Sequence, residues 1–278
     1  MRLTAVLRTA LRKLASEQDC YLCGCASVQA ICMECVAVFP APPPHACPRC
    51  ALPVPQAGMC GRCLADPPHF DATVAAYAYG EPLDQALQAF KYRHALGLTH
   101  FLAAQLDRAL DVAQAAARDA RLPAAPASHG RAAVLACAAS PVIDLIVPMP
   151  LAPARLADRG FNQALELARP IAQRRRIAVD AQMVHRIRDT PPQALLPWKE
   201  RARNIQGAFA CTGTAGSVNP RPLAGLRIAV VDDVMTTGST LNELARVLKA
   251  AGATHITNWV VARTLPHSFT QTAAPASA

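Results

Sequence analysis

Two adjacent acids followed by a run of hydroxylated residues and a glycine are the part of this chain best equipped for chemistry. Asp232 and Asp233 are followed by Val234 and Met235, then by Thr236, Thr237, Gly238, Ser239 and Thr240. A pair of carboxylates suits the vicinal hydroxyls of a ribose. A short hydroxylated loop at the start of a helix suits a phosphate, because the unpaired N–H groups there point at an anion and the helix dipole adds to the attraction. Gly238 lets the backbone approach that anion closely. Together the pieces describe a cradle for a ribose 5-phosphate. A second charged set, Arg155 and Arg159 ahead of Gly160-Phe161-Asn162-Gln163, offers forked donors to an anion. Taken alone, that second set would read as a solvated basic loop.

The third set is sulfur. Eight of the eleven cysteines fall in four C-x-x-C pairs, Cys20/Cys23, Cys32/Cys35, Cys47/Cys50 and Cys60/Cys63, so the pattern is a metal framework rather than one redox pair. Each pair can place two thiolates on one ion, and two pairs complete a tetrahedral zinc site. Sequential pairing gives two structural sites, with interleaved pairing as an alternative. The segment has few large apolar residues, so metal must hold it together. A disulfide-bonded secreted module is the competing reading, and it lacks a signal peptide. Cys25 is a spare thiol beside a knuckle, and Cys137 and Cys211 are small core or loop residues.

These groups need elements to hold them. Ile228 to Val231 is a short buried strand ending at the acids, and Leu241, Leu244, Ala245, Val247 and Leu248 recur at helical spacing after the loop. The same order of strand, turn, cationic loop and helix recurs from Asp144 to Val147 through Pro148-Met149-Pro150 to Leu165, Leu167, Ala168 and Ile171. Thr73 to Tyr79 reads as a strand, Pro82 opens a helix running through Phe90, another spans Leu98 to Ala117, and His255 to Val261 is a last strand. Alternating strands and helices give an α/β fold, a mainly parallel sheet with helices on both faces. Val184 to Phe209 is arginine-rich and interrupted by Pro191 and Pro192. It reads as an irregular lid that closes over a polyanion.

The domain plan is a basic amphipathic helix over 1–19, a double zinc ribbon over 20–66, and a catalytic-type domain over 70–265 with an Ala/Pro-rich insertion at 118–140. A disordered tail over 266–278 completes it. Hydrophobic content is 52%, yet no apolar run approaches a membrane span, which excludes an integral helical membrane protein. Net charge is +9, which favours anionic partners without choosing between phosphorylated small molecules, nucleic acid and a membrane surface.

The run from the apolar strand through Asp232-Asp233 to T-T-G-S-T resembles the phosphoribosyl-diphosphate motif of type I phosphoribosyltransferases. The whole chain resembles the ComF family, also described as GntX-like. The resemblance is carried by the cysteine pairs, F-K-Y at Phe90 to Tyr92, V-P-M-P at Val147 to Pro150, and R-G-F-N-Q at Arg159 to Gln163. It continues through R-x-R-x-T-x-x-Q-x-x-L from Arg186 to Leu196, R-x-x-N at Arg201 to Asn204, and V-D-D-V-M-T-T-G-S-T. It implies a phosphoribosyltransferase-like domain behind a double zinc ribbon, with phosphoribosyl diphosphate bound together with magnesium. Catalytic candidates are then Asp232, Asp233, Arg155 and Arg159. Val234 to Thr240, Lys91, Gln193 and Arg201 are the substrate-binding candidates. The family is associated with DNA uptake, which implies a cytoplasmic protein that acts with single-stranded DNA and DNA-uptake machinery proteins. Rival readings are a nucleotide-salvage phosphoribosyltransferase and a non-catalytic scaffold for nucleic acid or a partner. A DNA path would use Arg49, Arg62, Arg186, Arg188, Arg201 and Arg203, with Tyr21, Phe70 and Trp198 as stacking rings.

Overall fold

The computed structural model describes residues 18–92, 95–119, 142–188, 204–211 and 223–266. Its cysteine-rich start holds little regular structure. A two-residue hairpin joins β1 (Gln18–Asp19) to β2 (Ala26–Ser27), and two single-turn helices follow, α1 (Met33–Ala37) and α2 (Gly61–Ala65). Such a segment buries too little apolar surface to order itself.

The apolar runs beyond it form one sheet. β3 is Ala72–Ala78, β4 Leu145–Pro148, β5 Ala178–Val179, β8 Arg227–Met235 and β9 His255–Arg263. They lie in the order β3-β9-β8-β4-β5, and every neighbouring pair is parallel. Parallel neighbours need long crossovers. Helices α3 (Leu83–Tyr92) and α4 (Leu98–Asp119) lie between β3 and β4, α5 (Pro153–Arg159) and α6 (Gln163–Arg175) between β4 and β5, and α7 (Ser239–Ala250) between β8 and β9.

Both faces of the sheet are covered, which is why its central strands read as unbroken apolar runs. Along β8, Ile228 and Val230 join a core with Leu241, Leu244 and Leu248 of α7. Ala229 and Val231 join a second core with Phe90, Leu102 and Leu167 of α3, α4 and α6. The expected parallel sheet with helices on both faces is therefore present.

Several details depart from the sequence reading. β8 does not stop at Val231. Asp232, Val234 and Met235 stay in register with Val260, Ala262 and Arg263 of β9, so the acids lie inside the strand. The partner's ladder overrides the low strand propensity of aspartate. The basic loop after β4 is the helix α5, started by Pro153 and closed by Gly160 at φ +71°. Helix α4 runs to Asp119, two residues past the expected end at Ala117. The arginine-rich stretch is not wholly irregular, since β6 (Val184–Arg186) pairs antiparallel with β7 (Phe209–Cys211). Gln18 and Asp19, expected to end a helix over 1–19, form β1 instead; the rest of that helix, most of the Ala/Pro insertion, the middle of the lid and nearly all of the tail lie outside the described residues, as does Cys137.

Candidate functional site

The strand connections locate the site. From β4 the chain moves one way along the sheet to β5, and from β8 it moves the other way to β9. The crevice between β4 and β8, at their carboxyl ends, is the switch point where open α/β sheets bind ligands. Four sequence-predicted groups converge there: the acids of β8, the loop after it, the V-P-M-P end of β4, and Lys91 at the end of α3. Met149 donates its N–H to the Val231 carbonyl at 2.9 Å, which ties the end of β4 to the strand carrying the acids.

Side chains alternate along a strand, so the two acids turn to opposite faces. Continuing the alternation of Ala229 and Val231, Asp233 faces the helices of the first core. There Lys91 of α3 meets it at 2.9 Å. Burial alone would lower the Lys91 pKa, but the Asp233 carboxylate outweighs it and holds the ammonium above its ordinary value. Asp232 accepts the Asp233 N–H at 2.9 Å. Burial, and then the Asp233 charge beside it, push the Asp232 carboxyl up to about 7. The site thus holds two carboxyl groups, one of them paired with the Lys91 ammonium. The residues fit a magnesium ion or the hydroxyls of a ribose.

The loop after the acids is closely held. Gly238 sits at φ +82° and caps α7. A Cβ there would come within 2.5 Å of Met235 Cε, the far end of a flexible side chain, so it is the left-handed conformation above all that calls for glycine. Thr237 and Ser239 share a hydroxyl–hydroxyl contact of 2.9 Å, and the Ser239 N–H donates to Thr237 Oγ1 at 3.2 Å. Phe70 packs beneath the loop and is 2% exposed, so it cannot stack on a base.

R-G-F-N-Q is more structural than its charge suggests. Asn162 caps α6, accepting from the N–H groups of Ala164 and Leu165 at 2.9 and 3.3 Å, and its Nδ2 donates to the Met149 carbonyl at 3.1 Å. Phe161 packs on Phe90 with ring centroids 5.9 Å apart. Arg159 donates to Gln163 at 3.1 Å and to the Tyr92 hydroxyl at 3.2 Å, and it lies over the Tyr92 ring. Arg155 is one turn earlier on α5. The motif therefore clamps α3, β4 and α6 around the acids. Gln193 and Arg201 lie outside the described residues, with Arg203 and Trp198.

The sulfur positions fit zinc. The eight cysteines form two tetrads in sequential pairing, Cys20/Cys23/Cys32/Cys35 and Cys47/Cys50/Cys60/Cys63, with all sulfurs of each within 4.8 Å of one another. A Zn–S bond of about 2.3 Å gives tetrahedral sulfur separations of about 3.8 Å. Cys20–Cys35, Cys23–Cys32 and Cys50–Cys60 stand 3.9, 3.6 and 3.6 Å apart, far from the ~2.05 Å of a disulfide. Burial pushes Cys35 upward and Cys63 up to about 12, while the hydrogen bond with Cys50 draws Cys47 down to about 4. Both tetrads could hold zinc. Cys25 is exposed and outside them, and Cys211 is half-buried in β7.

Arg263 escaped the sequence reading. It is a buried arginine at the end of β9, 2% exposed. Nε donates to the Cys50 carbonyl at 2.8 Å, and Nη1 to the Met235 and Thr264 carbonyls at 3.0 and 2.9 Å and also to that of Thr236. Burial pulls its pKa down to about 10, so it stays cationic at neutral pH. An arginine at the end of an otherwise apolar strand is the one signal that could have found it. Two arginines of the expected DNA path also serve the fold. Arg186 is buried and lies over Phe209, and Arg62 donates to the Thr237 carbonyl at 3.2 Å.

No family model matches the chain. Among curated proteins it is 33% identical to the DNA utilization protein YhgH of Salmonella typhi, over 79% of this chain and 84% of that one. It is 31% identical to the protein of that name in Escherichia coli K12 over the same shares. Competence protein F of Haemophilus influenzae is 33% identical over 73% of this chain and 78% of that one. Among solved structures, a purine phosphoribosyltransferase from Pyrococcus horikoshii overlaps 45% of this chain and 75% of its own, at 18% identity and a TM-score of 0.24. At that score the likeness adds nothing to what the sheet order gives. Among the described residues no helix is long and apolar enough to cross a membrane.

Proposed function

Because the chain belongs to the ComF-like family, we propose that it is a cytoplasmic phosphoribosyltransferase-like protein that binds phosphoribosyl diphosphate with magnesium and serves the handling of internalised DNA. One observation carries the ligand: Asp232 and Asp233 lie at the switch point of a parallel sheet, next to a hydroxylated loop with Gly238 at φ +82° at the start of a twelve-residue helix. In this reading the carboxylates hold the ribose 2- and 3-hydroxyls. Thr236 to Thr240 hold the 5-phosphate through backbone N–H groups and hydroxyls. Val234 and Met235 shape the floor, and Lys91 balances the acids. Arg155 and Arg159 neutralise the diphosphate, and Gln193 and Arg201 are further candidates for binding the substrate. Bound magnesium would supply neutralisation of the diphosphate charge as its bond to ribose C1 breaks. The chain's own part is electrostatic and positional, so no side-chain nucleophile is required. The DNA role rests on the names of the relatives and on the net charge of +9, and DNA-uptake proteins are the partners it implies.

Calorimetry of phosphoribosyl diphosphate with magnesium tests this on the wild-type chain and on an Asp232→Asn, Asp233→Asn double variant. Binding that vanishes in the folded double variant is expected. Equal affinity in both would remove the acids from the ribose site. A folded wild type that takes up no ligand would end the phosphoribosyl reading altogether.

A further inference from the structure

The hydrogen bonds of Arg263 reach two distant stretches of chain, the Cys50 knuckle and the Met235-Thr236 step into the loop, besides the carbonyl of its own neighbour Thr264. Such a fork is specific to arginine, whose planar guanidinium presents several donors in fixed directions. The peptide unit is planar and trans, so a carbonyl and the N–H that follows it point opposite ways. Drawing the Met235 and Thr236 carbonyls to the guanidinium turns the N–H groups of Thr236 and Thr237 away from it. Arg62, on the last knuckle, draws the Thr237 carbonyl at 3.2 Å and so directs the Gly238 N–H. Three consecutive amides are therefore aimed by two arginines. The fixed end of the larger clamp is the backbone of a cysteine in the second tetrad.

We infer that Arg263 is the positioning residue of the phosphate loop, which it sets by anchoring the Met235 and Thr236 carbonyls to the Cys50 knuckle. Arg62 plays the same part for Gly238. Neither arginine is required to touch the ligand. The proposal deepens the phosphoribosyl reading, but only its binding arm depends on that reading.

Arg263→Lys is the decisive variant, since it keeps a cation but cannot hold four carbonyls in one geometry. Hydrogen exchange of the ligand-free protein should show the amides of Thr236 and Thr237 exchanging at least tenfold faster, with zinc content unchanged. Affinity for phosphoribosyl diphosphate with magnesium should fall at least tenfold. Arg62→Ala lies on the exposed knuckle and is the second variant. It should speed exchange several-fold at Gly238 and leave Thr236 unchanged, and it decides the matter if Arg263→Lys does not fold. Unchanged exchange from Thr236 to Gly238 in the folded variants overturns the proposal, even if the wild type binds the ligand. Faster exchange in a protein that binds no phosphoribosyl diphosphate upholds the clamp and removes the ligand assignment instead.

Discussion

The two cysteine tetrads are each built from two C-x-x-C pairs, with eight residues between the pairs in the first and nine in the second, but they sit in different surroundings. In the first, Cys20 and Cys32 belong to the core under α3 and α4, and the backbone hydrogen bonds of its knuckle, such as Cys20 to Cys25 and Tyr21 to Ala30, join residues of the module to one another. In the second, Cys47, Cys50 and Cys63 belong to the core shared with Phe70, Met235 and α7. Its neighbours bond outward. Thr73 donates to the Pro48 and Arg49 carbonyls at 3.1 and 2.6 Å, Arg263 donates to Cys50, and Arg62 donates to Thr237. The same set of four thiols thus lies against an outlying module in one place and against the candidate site in another. What separates the two is the set of groups around the sulfurs, and such outer contacts carry weight at metal centres.

Removing one ligand from each tetrad is the harshest way to break this contrast. Cys60→Ser should release one zinc per chain and weaken binding of phosphoribosyl diphosphate at least a hundredfold. Cys23→Ser, on an exposed cysteine, should also release one zinc and lower the melting temperature, with affinity kept within about threefold. Metal analysis with calorimetry reads both quantities. Equal losses of affinity would mean that the second tetrad has no special tie to the loop.

Next in size is Gly238→Ala. The left-handed conformation costs roughly 1–2 kcal/mol with a Cβ, and moving the flexible end of Met235 aside adds less than that. Denaturant melts should show a loss of about 1–2 kcal/mol, and a loss below about 0.5 kcal/mol would show that the loop relaxes freely. A change at Asp232 should have the opposite sign. Its native pKa of about 7 lies above the ordinary 3.8, so the folded chain holds an extra proton between those values and stability falls as pH rises through that window. Asp232→Asn removes the charge. It should stabilise the ligand-free protein by about 1–2 kcal/mol at pH 8 and hardly at all at pH 4, while ligand affinity falls. Equal effects at both pH values would contradict the buried acid pair.

The smallest expected effect lies on the side of the first core. Asn162→Ala removes a helix cap and should cost about 1 kcal/mol of stability in melts. A loss below about 0.5 kcal/mol would show that neither the cap nor the bond to the Met149 carbonyl steadies the end of β4.

Much of this was legible in the residues. The alternation of apolar runs and helical periods gave the parallel sheet, because strands covered on both faces leave no other pattern. The C-x-x-C spacing gave the two tetrads, since two thiolates two residues apart can meet one ion. What escaped was non-local. Lys91 and Asp233 are far apart in sequence and meet only because the end of α3 packs over the switch point. Arg263 reads as an ordinary charge ending a strand until the Cys50 carbonyl is brought beside it. Arg155 and Arg159 gave no helical period, because α5 is only seven residues long and buries none of them.

The most direct test of the site is where the ligand leaves its mark. Hydrogen exchange of the full chain should be compared before and after saturation with phosphoribosyl diphosphate and magnesium. The account predicts new protection at the amides of Asp233 and Thr236 to Thr240, with the first tetrad unchanged. Protection confined to other segments, or none at a concentration where calorimetry shows binding, would contradict it.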